Sequence, residues 1–526
     1  MMNRLFTTAM VAMVATLSIH ANALSAERKV IVGFHKTPGS AERAVVERRH
    51  GKIRKEFKHI HAATIDIQDS DLPALLSDPD VAYVEEDVMF QAIAPVAGAV
   101  AAAPLAPTGI VEYDNAWSVS LIGSMTAHDQ STTGAGVNIA ILDTGIDYNH
   151  PDLDMNYAGG DNFISLDVNN HDPMDDSYNS HGTHVAGVIA AELDGNGVVG
   201  VAPDASIYAV KVLDGAGFGS VSAIVAGIEW AIANNMDIIN MSIGLTTYSQ
   251  LLADACAEAE AAGILIIAAA GNNYGGPVLY PAALPSVIAV GATTIFDEIS
   301  PLSPIGPELE LTAPGLNVYS TTAGGFYGYL GGTSQAAPHV SGLAALLLSA
   351  GITDADGNGV ADHQDVRFLM QSTAVDLGTP GFDDTYGYGR TSVENAFPGN
   401  GGGEPPITQL TIQKHNGSPS NSRETITVED GIFDVTIVNT SLNAIKVAVF
   451  ENDQIRRDLS RKFKFIDDDD HHHGQHHGQH HDDSVNEPLP QEVSFSIDAS
   501  GTAFKLVFIP KGENDSLADA YIQKQQ

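Results

Sequence analysis

Between residues 111 and 397 the sequence alternates continuous apolar runs with helix-patterned stretches, and that alternation leaves few folds open. VNIAILD, SIYAVKVL, DIINMSIG, ILIIAAAG and SVIAVGAT show no polar alternation, so both faces of each strand must be covered. HGTHVAGVIAAEL, GSVSAIVAGIEWAIANN, SQLLADACAEAEAAG and SQAAPHVSGLAALLLSAG supply the helices that cover them. The pattern predicts an α/β fold with a doubly wound parallel sheet. Sites in such sheets lie beyond the carboxyl ends of the strands.

The rest of the 526 residues divides around this core. Residues 1–26 have one Arg, an apolar run from Leu5 to Ile19 and small residues ending in Ala23 and Ser25-Ala26, the pattern of a secretory signal peptide. Secretion is therefore expected, with no membrane segment in the mature protein, because no later run is long and apolar enough to span. Residues 27–92, from KVIVGF to DVAYVEEDVMF, read as a small α+β unit. The Ala/Pro-rich tract 93–110 reads as an exposed, cleavable linker. Residues 398–407 are a second linker by composition. Beyond it, 408–526 carries short alternating strands that predict an all-β, sandwich-like domain. The run IDDDDHHHGQHHGQHHDDS, 466–484, cannot pack a core and reads as a loop tip whose imidazoles could capture zinc or nickel, with no catalytic part.

A formal charge of −40 excludes nucleic acid as a partner. Residues 27–92 hold 10 of the 25 Lys+Arg against 12 of the 65 Asp+Glu, so almost all the excess acid lies elsewhere. Such acidity suits bound cations, a salty medium or plain solubility. The single cysteine, Cys256, rules out an intramolecular disulfide and reads as an apolar helix filler, which leaves burial or bound ions to stabilise the fold.

Asp143-Thr144-Gly145 admits two hydrolytic chemistries. An aspartic protease needs a second such motif for its partner carboxylate, and the chain has none. A serine hydrolase needs an imidazole to take the proton of a hydroxyl and a carboxylate to fix that imidazole's tautomer. Ser180-His181-Gly182-Thr183-His184 opens one helix, and Gly332-Thr333-Ser334-Gln335-Ala336 opens another after a glycine turn. Asp143, His181 and Ser334 fill the three roles in a chain order that convergent triads use. Spacing alone also permits a metal on His181 and His184, but no third ligand is specified.

These three motifs in this order resemble the subtilisin-like (subtilase) serine proteases over about residues 111–397. The resemblance implies that Asp143 orients, His181 is the general acid/base and Ser334 attacks the carbonyl. His184 and His339 are then structural. It implies that the Asn272 side chain helps hold the oxyanion, and that Ser242-Ile243-Gly244 and Ala269-Ala270-Gly271 are extended edges binding peptide by strand addition, with broad specificity. Leu279, before Tyr280-Pro281, falls at the floor of the first side-chain pocket and is expected to make it shallow. Residues 27–92 resemble the inhibitory, ferredoxin-like prodomain of these proteases, a folding template removed by cleavage between about 93 and 112. A secreted, autoprocessed, monomeric endopeptidase acting on proteins and peptides is thus expected. The competing reading is a silent, calcium-dependent binding protein on the same fold.

Bound calcium is expected. Residues 354–365 fit a twelve-residue calcium loop, with Asp354, Asp356, Asn358, the Val360 carbonyl, Asp362 and Asp365 as oxygen ligands and Gly359 at the sharp turn. The family resemblance implies a second site from Asp152 and the loop carrying Asp194, Asn196 and Val198; the insertion 167–176 is a further carboxylate-rich candidate.

Overall fold

The structure, a computed structural model, describes residues 27–93, 110–164 and 170–398 in full and, after them, the backbone of eight strands between Thr408 and Gln525. The expected signal peptide, nearly all of the 93–110 and 398–407 linkers and the run 466–484 lie outside the described residues.

The five apolar runs form the middle of a seven-stranded sheet whose neighbours are all parallel. Its order is Leu311–Pro314, Ile288–Thr293, Leu265–Ala269, Ile238–Met241, Asn138–Asp143, Ser206–Lys211, Tyr157–Asn162. Helices His181–Ala190 and Thr333–Ala350 cover one face, where Val185, Ile189, Val340 and Leu343 pack with Ile139, Ile141 and Ile267. Helices Val221–Ala233 and Gln250–Ala261 cover the other, with Ile224, Ile228, Leu252 and Cys256 against Leu142, Ile239 and Ile266. Burial pushes the Cys256 thiol up, as befits a filler. Both of these helices start at serine caps, Ser220 and Ser249, whose hydroxyls accept the amides of Ala223 and Leu252. Because the sheet grows outward on both sides of Asn138–Asp143, the crevice at that strand's carboxyl end is the topological switch point, and Asp143 is its last residue.

Residues 27–86 form a β-α-β-β-α-β unit whose antiparallel sheet runs Lys52–Glu56, Ala62–Gln68, Glu27–Phe34, Val81–Glu86. One face packs on its own two helices through Val30, Val32, Val45, Val46 and Leu75. From the other side, Ile31, Phe57, Ile60 and Ala62 join the same apolar cluster as helices Val221–Ala233 and Gln250–Ala261, so the unit and the large sheet share a core. The chain then continues as a strand, Met89–Ala92, to Ile93.

The C-terminal unit has two four-stranded antiparallel sheets. One runs Thr408–Gln413, Leu517–Gln525, Ile432–Asn439, Gln491–Asp498; the other runs Glu424–Val428, Phe504–Lys511, Ala444–Glu451, Gln454–Lys464. The apolar alternation that marks strands in the sequence is interrupted by charged and amide side chains in two of them, Gln454–Lys464 and Leu517–Gln525. Among the described residues no helix is long and apolar enough to cross a membrane.

Candidate active site

Asp143, His181 and Ser334 come from a strand end and two helix starts, and all three are fully buried. His181 Nδ1 lies 2.7 Å from Asp143 Oδ1. Burial opposes the imidazolium, but the charge of Asp143, its hydrogen bond and the charge of Asp175 outweigh it and hold His181 above its usual value. The close approach explains Gly182: a β-carbon there would stand 2.1 Å from the Gly145 carbonyl oxygen and 3.2 Å from Asp143 Oδ1. At the third motif Gly332 has φ of 148°, and a β-carbon would lie 2.4 Å from Asn272 Nδ2. Asn272 thus lies against the start of the Ser334 helix, with the Thr333 amide donating to its Oδ1 at 3.0 Å. The amide nitrogen is the donor end of that side chain, the chemistry an oxyanion needs.

Ser334 and His181 share no hydrogen bond in this state. The Ser334 hydroxyl donates instead to the carbonyl oxygen of Ile93 at 3.1 Å and is 3.4 Å from that of Ser242, while His181 Nε2 has no partner among the described residues. The cause is the occupied cleft. Met89–Ala92 is the middle strand of a three-stranded antiparallel sheet, paired with Ile243–Gly244 on one side and Phe218–Ser220 on the other. Ala92 N–H donates to Gly217 O at 2.7 Å and Ile93 N–H to Ser242 O at 3.4 Å. Ser242, Ile243 and Gly244 are thus an edge to which the chain's own strand is added.

Ala269 and Ala270 are a correction: they do not pair with the bound strand. Ala269 belongs to the central sheet and both are fully buried; the Ala270 amide is taken by Val290 O and its carbonyl by Leu279 N. The second edge is Phe218–Ser220, which the sequence reading missed, although a half-exposed Phe between two glycines was the available signal. Gly271 instead lies against Leu279. A β-carbon at Gly271 would be 2.8 Å from Leu279 Cγ; one at Gly244 would be 2.9 Å from Leu279 Cδ1 and 3.2 Å from Ile93 Cγ1. The Leu279 side chain therefore lies close to both glycines, and Ile93, whose carbonyl faces Ser334, lies close to Gly244.

His184 and His339 are buried, with Nε2 of the first on the Val318 and Gly328 carbonyls and Nδ1 of the second on Gln335 O. Desolvation lowers them to about 3 and about 4. Neutral and committed to backbone, they are structural.

Asp354, Asp356 and Asp365 place carboxylate oxygens within 4.8 Å of one another, a donor set that fits a hard cation. Asp362 does not join them. It is the N-cap of helix His363–Ser372, its carboxylate accepting the Gln364 amide at 2.8 Å, because the helix begins one residue later. Asn358 turns toward Asp356, and Val360 is exposed with its amide on Asn358 Oδ1. Asp365 faces inward, where amides of Ala355, Asp356 and Asp362 hold its carboxyl low. At the other site Asp152 is buried, accepts the Val198 amide at 3.1 Å, and is pushed by desolvation up to about 7. Asp194 accepts the Asn196 amide within the same loop. Glu112, which the sequence reading missed, is also buried there, raised by desolvation, and takes the Gly195 amide at 2.7 Å. Burial thus disfavours each of these carboxyls as an anion, though among the described residues only Asp354, Asp356 and Asp365 form a cluster of three acidic ligands. In the insertion, Asp175 is saturated by hydroxyls and amides and is not available as a ligand.

Comparison with known proteins agrees with this geometry. The model of the subtilase family matches residues 134–389. Subtilisin NAT of Bacillus subtilis subsp. natto and subtilisin E of Bacillus subtilis (strain 168) are each 41% identical over 382 residues, covering 71% of this chain and 91% of the relative. The alkaline protease of Alkalihalobacillus alcalophilus is 35% identical over 403 residues, 74% of this chain and 97% of its own. A buried carboxylate, imidazole and hydroxyl converging at the switch point of a parallel sheet, in a chain this similar to subtilisins, means that the chain belongs to the subtilase family of serine peptidases.

Proposed function

We propose that the chain is the precursor of a secreted serine endopeptidase that frees itself by cutting the Ile93–Ala94 bond, after which residues 27–93 remain as a dissociable inhibitor. The observation that carries this reading is the Ser334 hydroxyl on the Ile93 carbonyl, at the end of a strand held in register on both sides. Ser334 Oγ adds to the Ile93 carbonyl carbon as His181 Nε2 takes its proton. The oxyanion is held by Asn272 and the Ser334 amide. Collapse breaks the C–N bond, and the imidazolium returns its proton to the Ala94 nitrogen. Water then hydrolyses the acyl-enzyme by the same proton route. External protein substrates would bind as 89–93 does, through main-chain hydrogen bonds that accept many sequences. Treating purified protein with a fluorophosphonate tests the reading against a silent binding protein: labelling that Ser334→Ala abolishes supports the peptidase, and folded mature protein that stays unlabelled overturns it.

Support for a docked inhibitor comes from carboxylates at positive helix ends. Glu85 accepts Ser249 Oγ, the Gln250 amide and the Leu251 amide, and Asp87 accepts the Ser222 amide and hydroxyl. In return Glu229 accepts the amides of Lys58 and His59. Residues 111–397 contain just three basic residues, and all are spent internally: Lys211 on Asp176, Arg367 on Glu310, Arg390 on Asp297. The comparatively basic 27–93 unit therefore meets a surface that offers no competing cation. Charge-assisted hydrogen bonds contribute about 1.5–3 kcal/mol each. Replacing both Glu85 and Asp87 by Ala in the full chain is expected to cut the yield of active enzyme about tenfold or more, read by active-site titration; an unchanged yield would remove the template role.

Calcium is proposed at Asp152, Glu112 and the 194–198 loop, and at Asp354, Asp356 and Asp365. An ion at a hundredfold excess over its Kd stabilises by about 2.7 kcal/mol. Chelation is expected to lower Tm by about 5–10 °C, and a Tm that moves by less than a degree rejects both sites.

A further inference from the structure

Ser180, the residue before the His181 helix, does not cap it: its backbone is left-handed at φ 56° and its side chain makes no capping bond. The first amides of that helix are satisfied from a distance. His181 N–H donates to Ser177 Oγ at 3.1 Å, Gly182 N–H to Thr144 Oγ1 at 3.0 Å and Thr183 N–H to Asp175 Oδ2 at 3.1 Å. Both hydroxyls are held by the same carboxylate, Thr144 Oγ1 and Ser177 Oγ donating to Asp175 Oδ1 at 3.0 and 2.6 Å. That oxygen also takes the Ser177 amide at 3.0 Å, and Thr183 Oγ1 donates to Oδ2 at 2.7 Å. Asp175 is 6% exposed. Thr144 in turn follows Asp143, and its amide donates to Asp143 Oδ1 at 2.7 Å, the oxygen that His181 Nδ1 contacts.

We propose that Asp175 is a positioning residue for catalysis: one buried carboxylate, touching no reacting atom, that ties the strand end carrying Asp143 to the helix start carrying His181 and sets a second negative charge beside the imidazole. The proposal rests on the peptidase reading. A neutral cap would serve the helix equally well, so the charge is what separates this role from scaffolding. The groups facing His181 are few. Asp143 comes from the strand, neutral His184 from its own helix and Ser334 from the helix opposite. Lys211, at the end of the neighbouring strand, donates to the Thr144 carbonyl and pairs with Asp176. Asp175 is the second anion that raises His181.

The test is Asp175→Asn in the full-length chain, matured and active-site titrated. With less stabilisation of the imidazolium, the acid limb of kcat/KM is expected to move to lower pH by about half a unit, while kcat falls about tenfold and KM stays within about twofold. Thr144→Val breaks one arm and keeps the charge, so kcat should fall with the acid limb in place. A drop in kcat for Asp175→Asn without a shift of the limb overturns the electrostatic role, and wild-type kinetics in both variants overturn the proposal altogether. If Asp175→Asn does not fold, Thr144→Val decides by itself: unchanged kcat overturns the coupling. Wild-type protein that neither takes fluorophosphonate nor turns over overturns the peptidase reading itself, a different outcome from an active wild type with indifferent variants.

Discussion

If residues 27–93 are a self-cleaved inhibitor as proposed, Ser334→Ala is expected to arrest the protein as a single covalent chain through residues 27–397, and to lower turnover of an external peptide on the order of 10⁶-fold, the loss that removal of subtilisin's own nucleophile causes. The two effects have one cause. The Ser334 hydroxyl is the nucleophile that faces the Ile93 carbonyl among the described residues, and Cys256, the one thiol, is buried in the helix layer with its thiol pushed up. Removing Oγ leaves the strand Met89–Ala92 in place, because its hydrogen bonds to Gly217, Ser242 and Ile243–Gly244 are main-chain. The variant should therefore be folded and inhibited. Intact-mass measurement checks this: purified wild type should release a fragment whose last residue is Ile93, and purified Ser334→Ala should release none. Release of the same fragment from the variant would assign the cut to another agent and leave the contact at Ser334 without a reaction.

The triad was legible because its three motifs are local: each pairs a functional side chain with the glycine that lets the backbones close, as Gly182 does against Gly145. The middle of the sheet was legible for the same reason, its strands being apolar on both faces. The strands that escaped are the sheet's two edges, Tyr157–Asn162 and Leu311–Pro314. YAGGDN is half-exposed and glycine-rich, and LTAP is short, so neither carries the continuous apolar run that burial on both faces imposes. What could not be read at all is non-local pairing. Nothing in DVNNHDPMDD marks Asp175 as the cap of a helix that begins six residues later through hydroxyls contributed by two segments. Glu112 escaped likewise, since its partner amide at Gly195 is distant in the chain. The calcium loop shows the opposite error. A regular spacing of oxygen donors suggested six ligands, but Asp362 is drawn off by the helix it starts.

Leu279→Gly is expected to change which residue the enzyme cuts after. In the wild type Leu279 lies against the Gly244 and Gly271 positions, and Ile93 is already within contact distance of the Gly244 position. The space beside Leu279 is expected to suit Ile, Leu, Val or Ala and to reject Phe or Tyr by overlap, a repulsion that costs more than the apolar contact returns. Deleting the side chain vacates the floor, while the Leu279 amide on Ala270 O keeps the segment in place. The rate constant kcat/KM for a Phe-containing peptide should rise about 10²-fold, the scale that apolar pockets achieve between side chains of different size, and that for the Ile peptide should fall a few-fold for lost contact. The precursor supplies an internal version of the same measurement. Ile93→Phe should mature slowly on its own and regain speed when combined with Leu279→Gly, because the strand delivering residue 93 is held by the same main-chain bonds in both. Equal maturation of the single and double variants would mean that Leu279 does not bound the pocket, and the carbonyl of Ile93 would then be placed at Ser334 by the strand alone.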